Sequence, residues 1–388
     1  MSDSKVSSSF YNQLKTNFES FKIYIPEKMR TKNWILFSLL VLSMVVMLWL
    51  VSNPTPDFHN IVASTHRTLH KLKVTRSHND QEGFKELQVD EMYLDYLGFT
   101  DNPNLYLTNN PPKINQQQTK KRRRERGSSR RRSRPVIGSA VSWRSFSFAK
   151  DLADNVHHYL PDYEVVFFDI GLSTYDNKQL QSTCNETINC EVKRFPFNKF
   201  PYHIQNTDIK AYKPLAIQEL LNLYGAVFWI DLNEKKEYFI TGDIEKVLKQ
   251  AEKVGITAWT VDEPTSALTH PKTFRFFKAR REDYYFHRMV STDRLLLYNL
   301  EQIHSHIMLP WVQCSLMEEC IRPPGAQNAV CNKFRKPLYR YSGCHHYDMS
   351  ALNVILGRRF EYDCQEYSSK LSIFGKIKAN STIVPPTL

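Results

Sequence analysis

An uncharged run of 18 residues, Trp34 to Val51, most constrains what this chain can fold into. At about 1.5 Å of rise per residue such a run can cross a membrane as a helix, and tryptophans near both ends suit the two interfaces. A cleaved signal peptide is the alternative, but 33 residues precede the run and no small-residue cleavage pattern follows it. Because lysines and arginines are concentrated before the run, we predict a signal anchor with everything after residue 52 luminal or extracellular.

The cysteines and the glycosylation sequons agree with this orientation. All seven cysteines follow the apolar run, and an oxidising compartment is where disulfides persist. Proximity predicts the pairs Cys184 with Cys190 and Cys314 with Cys320. The odd total means that at least one cysteine is free or pairs between chains, which allows a homodimer. The two sequons begin at Asn185 and Asn380.

A basic run explains most of the net charge of +12. Lys120 to Arg134 contains ten cations and one anion, which is +9 and leaves +3 for the rest of the chain. Beyond a membrane span this run is not expected to bind nucleic acid, and we interpret it as a solvated, self-repelling stem. A cleavage site for dibasic-specific luminal proteases and a contact for polyanionic glycans are the alternatives.

Composition divides the chain into four segments. They are a cytoplasmic tail (residues 1–33), a transmembrane signal anchor (34–51), a luminal stem with the basic run (52–135) and a luminal domain (136–388). In the domain, strand-like and helical segments alternate: PVIGSAVS, SFAKDLADNVHHYL, YEVVFFDIG, and YKPLAIQELLNLYG leading into AVFWI. A more irregular half follows, with a helical HIMLPWVQCSLMEECI. The pattern predicts an α/β fold with a mainly parallel sheet flanked by helices. A short helix is also predicted within FKELQVDEMYLDYLGF of the stem, with little apolar surface around it.

Asp231 follows AVFWI, the most apolar strand of the chain. Ligands of open α/β sheets bind beyond the carboxyl ends of the strands, and carboxylate oxygens suit Mg²⁺ or Mn²⁺. Asn233 would add a neutral oxygen ligand on the same side if the chain stays extended. The sequence has no GxGxxG or GxxxxGK[ST] motif, so any phosphate would be held by cations or a metal. The alternative is that Asp231 is only the polar end of a buried strand.

A second group of polar residues, in CHHYDMSALNVIL, comes at the start of the last predicted helix, which runs from Met349 to about Leu356. His346 and Asp348 could complete a metal shell or face a substrate. The alternative is structural, with Asp348 as the N-cap or a first-turn residue of a helix and Cys344 in a disulfide. Lys213, which opens the helix before AVFWI, could neutralise a phosphate, although a solvated lysine is the default expectation.

Several segments together resemble a group of little-characterised animal type II membrane proteins that look like GT-A-fold nucleotide-diphospho-sugar transferases. They are FFDIGLS, VKRFPFNKFPYH, YKPLAIQELLNLYGAVFWIDLN, ALTHPKTFRFF, MLPWVQCSLMEECIRPPG and CHHYDMSALNVIL. The resemblance covers roughly residues 136–356. It implies nucleotide contacts near Ser142, the first aspartate of a DxD motif at Asp231, and a late histidine and acidic residue at His346 and Asp348. The third position of that motif is Asn233 instead of aspartate, which puts tight metal binding in doubt.

The resemblance implies a Golgi glycosyltransferase that moves a sugar from a nucleotide-diphospho-sugar to a glycan acceptor on protein or lipid. Mn²⁺ or Mg²⁺ would offset the charge that develops on the leaving nucleotide. Asp348 or Glu263 would be the general base if the reaction inverts configuration. The endoplasmic reticulum and the plasma membrane are the alternative locations. The alternative functions are a catalytically inactive relative that binds glycans or partners, and a membrane-anchored polyanion-binding protein.

Overall fold

The computed structural model describes residues 37–45, 84–99, 134–184, 188–232, 237–334 and 336–376. Residues 37–45 form a helix with exposed side chains and belong to a unit separate from the one that contains residues 62–388. Within the described residues, no helix has both the length and the apolarity needed to cross a membrane. Most of the predicted anchor and of the basic run, both sequons and Asn233 lie outside the described residues.

A six-stranded sheet forms the centre of the larger unit. Its strands are β1 (Val136–Val141), β2 (Val165–Asp169), β3 (Cys190–Arg194), β4 (Ala226–Ile230), β6 (Ile256–Pro264) and β7 (Arg288–Tyr298). They lie in the order β3-β2-β1-β4-β7-β6, and five of them run in one direction while β7 runs against them. A separate antiparallel pair is formed by β5 (Glu237–Phe239) and β8 (Phe374–Lys376). The predicted mainly parallel sheet is therefore confirmed.

Helices cover both faces of this sheet. They are α1 (Glu91–Tyr96), α2 (Phe146–Tyr159), α3 (Thr174–Thr183), α4 (Tyr212–Tyr224), α5 (Glu245–Val254), α6 (Thr273–Phe276), α7 (Glu301–Ile303), α8 (Leu309–Leu316), α9 (Glu318–Ile321) and α10 (Tyr347–Arg359). Residues of β4 alternate between two cores, with Phe228 packed among residues of α2 and α5 and Trp229 among residues of α4, α8 and α10. Burial on both faces explains why AVFWI is apolar throughout.

The connection from α4 to β4 is tight and needs glycine. Gly225 ends α4 with φ of 76°, the left-handed conformation in which a glycine pays no steric penalty, and β4 begins at the next residue. On the neighbouring strand, a Cβ added to Gly138 would lie 2.5 Å from Cδ1 of Leu220. The absence of a side chain at Gly138 thus lets α4 pack directly onto the sheet.

Strand β7 is an element that the sequence pattern did not reveal. It is 11 residues long and lies between β4 and β6, antiparallel to both. Its second half, from Leu295 to Tyr298, is apolar and buried, but Ser291 to Arg294 interrupt the apolar pattern. Because Ile230 pairs with Arg294, these polar residues lie beside the carboxyl end of β4.

The predicted helical segment HIMLPWVQCSLMEECI is divided into three pieces. A π-helical stretch, His304–Met308, precedes α8, and Met317 adopts an extended conformation between α8 and α9. The disulfide from Cys314 to Cys320 closes this break. The final helix α10 starts two residues earlier and ends three residues later than the predicted Met349 to Leu356.

Three disulfides account for six of the seven cysteines. The predicted pairs Cys184–Cys190 and Cys314–Cys320 are confirmed, and the third bond joins Cys331 to Cys344. The disulfide alternative proposed for Cys344 is thus the one observed. Cys364 lies outside these three bonds.

Residues 84–99, which the sequence placed in a stem with little apolar surface, pack on the α/β domain. Leu97 is fully buried in the core that contains α4, and its carbonyl accepts a hydrogen bond of 2.8 Å from Nδ2 of Asn222. The ring of Phe99 stacks on His304 at a centroid distance of 4.4 Å. No local sequence pattern indicates this docking, because the partner surface lies more than 100 residues further along the chain. The boundary between stem and domain at residue 136 stays a prediction. Residues 84–99, on the stem side of that boundary, pack on the domain that follows it.

Candidate functional site

A cavity of about 390 Å³ opens at the edge of the sheet where the parallel strands end. The second half of β6, the middle of β7, the start of α10 and the turn before α4 form its wall. These segments bring together Lys210, Glu263, Asp293, His346 and Asp348. Its volume is in the range of about 300–1,000 Å³ that is typical of small-molecule sites. Since ligands of open α/β sheets bind at this edge, the cavity is the candidate functional site.

A buried ion cluster lies behind the cavity wall. Lys213 is fully buried, and its Nζ lies 2.7 Å from Oδ2 of Asp231 and 2.9 Å from Oδ2 of Asp348. It also donates to Oγ1 of Thr292 at 3.2 Å, and the Thr292 hydroxyl donates to Oδ2 of Asp348 at 2.7 Å. A buried ammonium needs such partners, because taking it out of water is costly. The expectation of a solvated lysine at position 213 is therefore wrong, and Lys213 does not line the cavity.

Asp231 has hydrogen-bond donors at both carboxylate oxygens. Its Oδ2 accepts from Lys210 and Lys213, both at 2.7 Å, and its Oδ1 accepts from the indole nitrogen of Trp229 at 2.6 Å. Burial raises the pKa of Asp231, but the two lysines outweigh this effect and hold the pKa well below its ordinary value. Asp231 is thus an anion that is already neutralised by protein cations.

This arrangement does not fit a divalent metal ion at Asp231. Two ammonium groups contact Oδ2 of Asp231, and they would repel a divalent cation placed at that oxygen. Among the described residues, no three His, Cys, Asp or Glu side chains are grouped so that they could hold a metal ion. Asn233, the other predicted ligand from this motif, lies outside the described residues.

Lys210 is the member of this cluster that reaches the cavity. Its backbone has φ of 52° in the turn that precedes α4, and its side chain is 39% exposed. Besides Asp231, its Nζ lies 3.6 Å from Oδ1 of Asp293. Burial lowers the pKa of Lys210, but Asp231 and Asp293 outweigh this effect and hold the pKa well above its ordinary value. Lys210 is therefore a permanently charged group on the cavity wall.

Asp348 lies in the first turn of α10, where the helix dipole favours an acidic side chain. Its backbone carbonyl accepts from the indole of Trp311 at 2.9 Å, and its carboxylate is only 4% exposed. His346 occupies the N-cap position of α10. Asp348 is therefore a first-turn residue and not the N-cap. Lys213 and Thr292 hold this carboxylate in one position.

His346 and Glu263 also line the cavity. Nε2 of His346 is buried and has no hydrogen-bond partner among the described residues, and burial lowers the pKa of this side chain. Glu263 is 22% exposed and lies 2.8 Å from Nζ of Lys333. Burial raises the pKa of Glu263, but its bond to Lys333 is among the effects that bring the pKa below its ordinary value. Glu263 is the more accessible of the two predicted catalytic carboxylates.

Ser142 lies at the end of β1 and does not line the cavity. Its backbone nitrogen donates to Oγ of Ser145 at 3.0 Å. Two residues on, the guanidinium of Arg144 lies 3.9 Å from the carboxylate of Asp208, which does line the cavity. The end of β1 is thus connected to the rim of the site through Arg144.

Sequence reasoning missed Lys210, Thr292 and Asp293. Lys210 stands three residues before Lys213, and that spacing was the available indication that two ammonium groups could meet one carboxylate. Thr292 and Asp293 belong to the polar stretch inside β7. A polar stretch within an otherwise apolar strand is the pattern that would have indicated a site residue there.

Comparison with known proteins gives one family model. Residues 113–218 match the model of a family described as a protein of unknown function, DUF1647, and this is less than half of the chain. No curated protein matches the sequence.

The solved structures that are similar to this chain include several glycosyltransferases, the class named by the sequence resemblance. The bifunctional glycosyltransferase WbbM in its apo form has a TM-score of 0.36 and 10% identity, and the match covers 59% of this chain and 38% of WbbM. Mouse xyloside xylosyltransferase 1 in its apo form has a TM-score of 0.35 and 12% identity, covering 61% of this chain and 84% of the enzyme. Core-mannan synthase A from Aspergillus fumigatus, in a form with Mn and GDP, has a TM-score of 0.33 and 9% identity, covering 59% and 71%. This chain therefore spans well under two thirds of the length of WbbM.

Proposed function

We propose that this protein is a glycosyltransferase that uses a nucleotide-diphospho-sugar donor. The observation that carries the proposal is the charge pattern of the cavity at the carboxyl edge of the sheet. A lysine ammonium, Lys210, lies on its wall together with the carboxylates of Glu263, Asp293 and Asp348. A cation can bind the diphosphate of a donor, and a carboxylate can accept the proton of an acceptor hydroxyl.

In the proposed reaction, a bond from the anomeric carbon of the donor sugar to the acceptor replaces the bond from that carbon to the phosphate. The bond from this carbon to the phosphate oxygen breaks, and the nucleoside diphosphate leaves with the electron pair. The acceptor oxygen forms the new bond and loses its proton. Glu263 is the carboxylate that takes this proton, because it is exposed to the cavity while Asp348 is held by Lys213 and Thr292. Asp348 acts as a positioning residue that fixes one side of the cavity.

The nucleotide end of the donor is assigned to the rim near β1. Trp143 is exposed and carries the Arg144 guanidinium 5.1 Å from its ring centroid. An exposed indole beside a cation provides a stacking surface for a nucleobase and a charge for a phosphate. Ser142, at the end of β1, would position Trp143 and Arg144. In this proposal Ser142 does not itself contact the nucleotide, whereas the resemblance implied a nucleotide contact near Ser142.

The test uses the purified full chain and a panel of nucleotide-diphospho-sugars, with and without Mn²⁺. We expect hydrolysis or transfer of at least one donor. Glu263→Gln should lower kcat by about 100-fold, the usual range for loss of a general base. Asp262→Asn is the matched control, since this neighbouring carboxylate is 99% exposed and should leave turnover unchanged. A folded protein that binds and hydrolyses no donor would refute the proposal, and full activity of Glu263→Gln would refute the assigned base.

A second candidate function is a glycan-binding or partner-binding protein without catalysis. The observation that favours it is the neutralised Asp231, whose oxygens are both engaged by protein groups. Binding of glycans by a folded chain that shows no turnover with any donor would select this function over the first.

The proposal includes a Golgi membrane location, with residues 34–51 as the anchor and the domain in the lumen. Three disulfides are consistent with an oxidising compartment. Protease protection of the domain in intact vesicles checks the orientation, and digestion without detergent would contradict it.

A homodimer is proposed as well, and size-exclusion chromatography with light scattering measures it.

A further inference from the structure

Lys210 occupies the position at the carboxyl end of β4 where the sequence predicted a metal ion. It lies on the cavity wall, and its Nζ contacts Oδ2 of Asp231 at 2.7 Å. Holding a non-glycine residue in the left-handed conformation costs about 1 kcal/mol or more, so the fold maintains this turn against a backbone preference. The turn directs the ammonium to Asp231 and to the cavity together.

The two lysines together carry the same charge as a divalent ion. Lys210 and Lys213 contact Asp231 and Asp348, and Asp293 lies 3.6 Å from Lys210 as a third carboxylate. A divalent cation between the same carboxylates would supply the same total charge. The protein's own side chains thus provide the positive charge that a metal ion would bring.

We infer that the Lys210 ammonium binds the donor diphosphate in place of a divalent cation, so that donor binding is independent of metal. This inference rests on the proposed function. A lysine ammonium has three N–H donors, and the bond to Asp231 uses one of them. The side chain is 39% exposed on the cavity wall, and Oδ1 of Asp293 lies 3.6 Å from the same Nζ.

The two lysines have different tasks in this arrangement. Lys213 is buried behind the wall, where it neutralises Asp231 and Asp348 and makes no contact with a ligand in the cavity. Asp231, fixed by Lys213 and by the indole of Trp229, in turn holds Lys210 in place. The N-terminus of α4 begins two residues after Lys210 without a side-chain cap and adds a partial positive charge near the same wall.

The experiment measures binding of UDP and GDP to the purified full chain by calorimetry, with uridine and guanosine as ligands that lack the diphosphate. We expect that EDTA leaves the affinity of the unmodified protein for at least one nucleoside diphosphate unchanged. Lys210→Gln should weaken diphosphate binding by about tenfold or more, the usual effect of losing a charge-assisted hydrogen bond, and should leave nucleoside binding unchanged. Lys210→Arg keeps the charge and should bind within a few-fold of the unmodified protein. Lys249→Gln is the matched control, because this exposed lysine is also ion-paired, with Glu245.

Each other outcome has a defined meaning. If EDTA removes binding and Mn²⁺ restores it, the inference is overturned while the proposed function stands. If Lys210→Gln binds nucleoside diphosphates as well as the unmodified protein does, the inference is overturned in the same way. If no nucleoside diphosphate binds under any condition, the inference and the proposed function both fail. Thermal unfolding of each variant verifies folding, and the EDTA comparison on the unmodified chain needs no variant.

Discussion

Replacing Lys213 by methionine should strongly destabilise the protein, because the side chain neutralises two buried carboxylates. Asp231 and Asp348 each lie within 2.9 Å of its ammonium, and both carboxylates are more than nine-tenths buried. Methionine has a similar volume without the charge, so the packing of α4 is kept while the ion pairs are lost. Removing one partner of a buried ion pair costs about 3–5 kcal/mol. Asp348 is affected most, since Asp231 retains Lys210 as a partner.

Thermal unfolding by circular dichroism measures this effect. At about 2 °C per kcal/mol for a large domain, Lys213→Met should lower Tm by about 6–10 °C. Adding Asp348→Asn in the same chain should recover part of the loss, because the amide removes the unpaired charge and still accepts from Thr292. Lys249→Met removes a solvent-exposed ion pair and should change the free energy of unfolding by less than about 1 kcal/mol. A Tm of Lys213→Met equal to that of the Lys249→Met control would refute the reasoning.

Three further predictions concern packing and pH. Gly138→Ala places a Cβ 2.5 Å from Cδ1 of Leu220 and should cost about 1–3 kcal/mol in denaturant unfolding; unchanged stability would mean that α4 shifts freely. Burial lowers the pKa of His345 to about 3, so below its ordinary value the unfolded chain binds a proton that the folded chain does not. The free energy of unfolding should therefore fall as pH drops below about 6.5, by up to about 1.4 kcal/mol per pH unit, and His345→Gln should flatten this dependence. Lys333→Met should raise the pKa of Glu263, so that the acidic limb of the kcat/KM profile moves to higher pH; an unmoved limb would exclude Glu263 as the titrating base.

The alternation of strands and helices could be predicted because its causes are local. Five apolar residues bounded by Gly225 and Asp231 define β4 regardless of what packs on it, and the glycine also ends α4. Strand β7 depends instead on two partners, β4 and β6, that are distant in sequence, and its polar stretch from Ser291 to Arg294 conceals it. The same distance dependence concealed the docking of residues 84–99 through Leu97.

Individual site residues could be predicted from the sequence, but the contacts between them could not. Asp231 and Asp348 were identified from their places at the end of a strand and the start of a helix. That both contact Lys213 follows from the packing of α10 against β7 and of α4 against β4, which no local pattern encodes. Whether a lysine at a helix start is solvated or buried is decided by tertiary structure, and the default expectation was wrong for that reason.

The buried ion cluster links the stability of the fold to the roles of the site residues. Lys213 belongs to α4, Asp231 follows β4, Thr292 lies on β7 and Asp348 on α10, so that one set of charges joins four elements. Asp348 is committed to this cluster, because its contacts with Lys213 and Thr292 help to hold these elements together. Glu263, whose partner Lys333 is itself exposed to solvent, can take a proton at much smaller cost to the fold. The proposed division between a structural Asp348 and a proton-accepting Glu263 therefore follows from where each lysine partner lies.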